Sequence, residues 1–71
     1  MATLYPNIDR ELYERNMTYH NFAEALNMAP MNVYRRLTGI TQWSLSEVIA
    51  VCLLFERDDA LTLFLRLHNK T

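Results

Sequence analysis

Asn32 and Arg35 are the side chains whose chemistry is easiest to name: a carboxamide that both donates and accepts, and a guanidinium fork that only donates. Three residues apart on a helix, they suit the edges of bases in a DNA major groove. There Asn pairs bidentately with adenine and Arg with guanine, and Met31 beside them suits a thymine methyl group. Pro30, Met31, Asn32, Tyr34 and Arg35 all point outward if Val33 and Leu37 point inward at i, i+4 spacing. Those five are the candidate surface, with Thr38, Thr41 and Gln42 at its far end. The plainer reading stands beside it. Arginines on an arbitrary helix are mostly solvated charges, Arg36 can lay its stem over apolar surface, and a lone exposed Met needs no explanation. Met31 and Tyr34 serve a protein partner equally well.

Other reactive types carry less. His20 and His68 lie far apart and only one cysteine is present, so no zinc spacing exists. Cys52 sits in an apolar run without a cationic neighbour to activate it, and Ser44 and Ser46 are accounted for by helix capping. With no Gly-rich phosphate loop and no paired carboxylates, neither enzyme activity nor a metal or other cofactor is expected.

The elements that would hold Asn32 and Arg35 are legible around them. Thr18 is a plausible N-cap, with Met17 and Phe22 as a hydrophobic staple, for a helix running to about Leu26. Asn27 suits the left-handed turn that follows, and Pro30 suits the first position of the next helix. Phe22, Leu26, Met28, Val33 and Leu37 supply the apolar contacts, and Ala23 allows two helices to cross steeply. Residues 19–37 are therefore read as a helix-turn-helix.

Ala23, Asn27, Val33 and Gly39 occupy the Ala, turn, aliphatic and terminal Gly positions of a pattern that resembles the phage-repressor helix-turn-helix family, of Cro-like or xenobiotic-response-element type. The resemblance extends through Trp43-Ser44-Leu45-Ser46-Glu47 and covers about residues 7–65. It implies an all-α, five-helix fold of lambda-repressor-like type. It also implies base and phosphate contacts at Thr18, Tyr19, Pro30, Met31, Asn32, Arg35, Thr38 and Gln42, with the start of the first motif helix facing a phosphate. The chain differs from the family's pattern at Asn27, where Gly is common, at Ala29, where Ser or Thr usually caps the reading helix, and at Arg36, where an apolar residue is usual.

Composition agrees with one folded domain over residues 1–71, half hydrophobic and about a fifth charged. The formal net charge of −1 argues mildly against nucleic acid, but no Asp or Glu occurs between Glu24 and Glu47, so the reading segment is locally positive. The single cysteine and the lack of a basic-then-apolar N-terminus lead to an expected intracellular, cytoplasmic location. Residues 48–55, the longest apolar run, fall far short of the ~20 needed to cross a bilayer.

Elsewhere, residues 1–6 are expected as an extended arm, Asn7 as the cap of a first helix with Ile8 and Leu12 on its inner face, and Asn16 and Met17 as a link. Ser44 and Glu47 have capping-box spacing for a helix from Leu45, apolar all round, which must be central or lie against a partner. Asp58 and Asp59 would start a last helix through about Leu67, with Arg66, His68 and Lys70 near its negative end. Leu61, Phe64, Leu65 and Leu67 on that C-terminal helix are the expected homodimer surface. The expectation is a small transcriptional regulator of phage or prophage type that binds duplex DNA. Its rival is a protein-interaction module that keeps the fold and uses the same helix.

Overall fold

The path of the chain is set by how its helices stop. In the computed structural model, which describes residues 3–67, five helices run Pro6–Glu14 (α1), Tyr19–Ala25 (α2), Pro30–Leu37 (α3), Leu45–Leu54 (α4) and Ala60–Leu63 (α5), with no strand among the described residues. The first four end alike. Asn16, Asn27, Gly39 and Glu56 each take a positive φ just past a helix. The next residue's N–H then reaches back to a carbonyl of the last turn: Met17 to Leu12 (2.9 Å), Met28 to Ala23 (2.9 Å), Ile40 to Arg35 (2.8 Å) and Arg57 to Cys52 (2.9 Å). These are Schellman caps. Asn and Gly enter the left-handed region readily, whereas Glu56 does so against the usual steric cost.

The starts differ more. Thr18 Oγ1 accepts from the Asn21 N–H (3.0 Å) and Asn21 Oδ1 accepts from the Thr18 N–H (3.1 Å), closing a reciprocal cap on α2. Ser44 and Glu47 close the expected one on α4. Pro30 takes the first position of α3, but Ala29 before it offers no side-chain cap. Ala29→Ser is therefore expected to stabilise the domain by about 1 kcal/mol, read as a raised midpoint in urea; an unchanged midpoint would mean that the start of α3 is satisfied otherwise.

Buried Ile8, Leu12, Phe22, Ala23, Val33, Leu37, Val51, Phe55 and Leu63 draw on all five helices. Phe22 stacks on Phe55 with ring centroids 5.5 Å apart, and Trp43 makes T-shaped contacts with Tyr5 and Phe64 and a tilted one with Phe22. Aromatic rings thus join α2, α4 and the ends of the chain. Among the described residues no helix is long and apolar enough to cross a membrane.

Residues 3–5 lie outside any helix, as an arm would, but they are packed down and Pro6 already belongs to α1: Thr3 and Tyr5 are buried, Thr3 donates from its N–H (2.8 Å) and hydroxyl (3.1 Å) to Asp9, and the Leu4 N–H bonds the Leu37 carbonyl at 3.1 Å. Two expectations are corrected. Asn7 does not cap α1, which starts at Pro6 after Tyr5; its Nδ2 instead donates to the Thr62 carbonyl at 2.7 Å, tying α1 to α5. The last helix spans only Ala60–Leu63, because Leu67 turns back to donate its N–H to the Leu4 carbonyl at 2.8 Å, and Asp59 is held by Arg57 rather than capping. His68 and Lys70 lie outside the described residues.

Candidate nucleic-acid interface

α2 and α3 pack on each other across the turn at Leu26–Asn27, and α3 buries Val33 and Leu37 completely. The opposite face of α3 follows from that. Pro30, Met31, Asn32, Tyr34 and Arg35 are all exposed, Met31 at 59 %, so the structure brings together on one surface the five residues expected there. Arg35 has no side-chain hydrogen bond or ion pair among the described residues, which leaves its five donors open.

The flanking residues divide. Thr18 is exposed and, while it caps α2 as an acceptor, keeps its hydroxyl proton to donate. Gln42 is exposed beyond α3. Tyr19 is half-buried and its hydroxyl donates to Asp9 Oδ1 at 3.3 Å. Burial, then the nearby Asp9 carboxylate, raises its pKa above the ordinary phenol value, so it stays protonated at neutral pH and helps tie α2 to α1. Thr38 donates its hydroxyl proton to the Tyr34 carbonyl at 2.8 Å and so faces its own helix.

Arg36 explains the departure from an apolar type. It is half-buried, with Nε donating to Glu47 Oε1 at 2.8 Å and Nη1 to the Asn32 carbonyl at 3.0 Å. The same Glu47 oxygen accepts from the Ser44 N–H at 2.9 Å. One carboxylate therefore caps α4 and fixes α3 against it. It also brings a negative charge to the segment that looks acid-free in sequence, so of the two adjacent arginines Arg35 alone presents an uncompensated charge.

The Glu47 carboxyl is held below its ordinary value of about 4.5 chiefly by the Arg36 hydrogen bond, with Ser44 assisting and partial burial opposing. A carboxyl depressed in the folded state adds stability that is complete above the unfolded pKa and is lost as pH falls through the lower folded value. Glu47→Gln is expected to lower stability at about pH 7 by about 1–2 kcal/mol. Denaturant titrations should show that deficit shrinking as pH falls through the lowered folded value of Glu47, where wild type loses the same contact.

Arg66 was not foreseen at this surface. Because residues 65–67 fold back past Leu4, its guanidinium lies over Gly39 at the end of α3, and it lines a groove with Gln42. A Cβ on Gly39 would stand 2.5 Å from Arg66 Nη2 and 2.7 Å from Leu4 Cδ1, both far ends of flexible side chains that can move aside, so it is the backbone, at φ +86°, that calls for glycine there. Nothing in the local sequence signals this approach. It depends on a contact between the chain's two ends.

Among the described residues no three His, Cys, Asp or Glu side chains are grouped to hold a metal ion. No family model matches the chain, and neither the curated proteins nor the solved structures contain a match to it.

Proposed function

We propose that the chain is a sequence-specific duplex-DNA-binding module of phage-repressor type, acting as a small transcriptional regulator that lays α3 in the major groove. One observation carries this reading. A short helix held across a tight turn from α2 keeps Val33 and Leu37 inside while Met31, Asn32 and Arg35, the types suited to thymine, adenine and guanine, share its outer face. Arg66, exposed beside Gly39 at the end of α3, and Thr18, exposed at the start of α2, are our candidates for phosphate contacts.

A second reading rests on Met31 and Tyr34, both exposed on the same face. With Arg36 neutralised by Glu47, that face suits a protein partner that takes an apolar and an aromatic side chain. Titration of random-sequence duplexes at several salt concentrations separates the two. Each phosphate contact should steepen the fall of log K against log salt by about 0.9, giving a slope of several units for DNA binding. A folded protein that binds no duplex even at low salt removes the first reading and leaves the second.

A further inference from the structure

The segment before α4, α4 itself and α5 enclose an open groove of about 370 Å³, within the range of roughly 300–1,000 Å³ usual for small-molecule sites. Its walls are apolar. Trp43, Val48, Leu61 and Phe64 line it, with the Trp43 and Phe64 rings edge to face at 5.5 Å, and Leu61 is 90 % exposed. Leu65 and Leu67 lie beyond the end of α5 and take no part in it.

The polar groups of its lining residues all lack acceptors. The Arg66 guanidinium and the Gln42 carboxamide make no hydrogen bond or ion pair among the described residues. The Tyr5 hydroxyl has no partner there either, on a side chain only 6 % exposed, and the Trp43 Nε1–H is buried without one. Donors left unsatisfied in this way are costly and rare, and a ligand that brings acceptors accounts for them. No acid lines the groove to supply those acceptors. Glu47 and Asp59, which adjoin two of its residues in the chain, are held by Arg36 and Arg57.

We infer that this groove binds a small aromatic carboxylate, with its ring against Trp43 and Phe64 and its carboxylate on Arg66. An anion is favoured because Arg66 is the one charged residue of the lining and nothing there offsets it. A carboxylate matches the planar fork of a guanidinium bidentately, and the Gln42 amide supplies a further donor. An aromatic body is favoured because Tyr5, Trp43 and Phe64 already meet edge to face, an arrangement that a further ring extends. The inference does not depend on what α3 reads. Where α3 enters DNA, the bound acid takes the guanidinium offered there to a phosphate, so acid and duplex compete.

An NMR titration of the full chain without DNA tests this, using naphthylacetate and, as the uncharged control, naphthylacetamide. The single tryptophan gives a single indole N–H signal, a direct report on the groove. The acid should move that signal and the backbone signals of Leu61 and Phe64 saturably, with a dissociation constant of roughly 0.1–1 mM. Naphthylacetamide should bind at least about tenfold more weakly. Arg66→Gln should reduce the acid to the affinity of the uncharged control and leave the control unchanged, which a merely structural arginine would not do. Leu61→Glu, at an exposed position that spares the core, should weaken the acid more than the control. Signals of the folded chain that stay fixed up to about 10 mM acid overturn the inference. Equal affinity for acid and control overturns it too, as does acid binding that Arg66→Gln leaves unaltered.

Discussion

Asn32→Glu combined with Arg35→Glu is expected to abolish duplex binding while leaving the domain folded. On the proposed reading the change would remove two bidentate contacts worth roughly 1–3 kcal/mol each and set two negative charges against the groove. Stability should change little because the substitutions act oppositely on α3. Position 32 lies in its first turn, where an acid is favoured, and position 35 in its last, where an acid is disfavoured. Circular dichroism and a thermal scan check the fold, and a duplex titration checks binding. Unaltered affinity in a folded double variant would take α3 out of the interface.

Phe22→Ala should have the largest effect on stability. Phe22 is fully buried, stacks on Phe55 at 5.5 Å and leans on Trp43 at 6.4 Å, so its loss opens a cavity where α2, α4 and the segment before α4 meet. Such truncations cost about 3–5 kcal/mol. A domain of this length holds roughly 4–10 kcal/mol in all, so the variant should lose a large share of its stability. Urea titration of both chains measures the difference, and a cost below about 1 kcal/mol would mean that the ring stack contributes far less than its burial implies.

What could be read from sequence was what lies within a few residues. Ser44 with Glu47, Thr18, Asn27 and Pro30 each announce a helix end through their own chemistry, and the structure places helix ends at all four. The outward set on α3 followed from Val33 and Leu37 alone. Glu56 gave no sign of the left-handed turn it makes, because its type does not favour one. Asn21 completes the α2 cap in place of the usual Glu or Gln. The remaining surprises are long-range. α5 stops early and Arg66 reaches Gly39 because Leu67 bonds back to Leu4, and Arg36 is neutralised because Glu47, in the first turn of α4, meets it. Local spacing holds no record of such meetings.

Selection of bound sequences from a random duplex pool, run in parallel with wild type and Arg35→Ala, tests the central claim most directly. The expected result is a short motif enriched by wild type, with preference relaxed at one G·C pair in Arg35→Ala and affinity lowered by roughly 1–3 kcal/mol. No enrichment by folded wild type, or the same motif with the same affinity from both proteins, would contradict it.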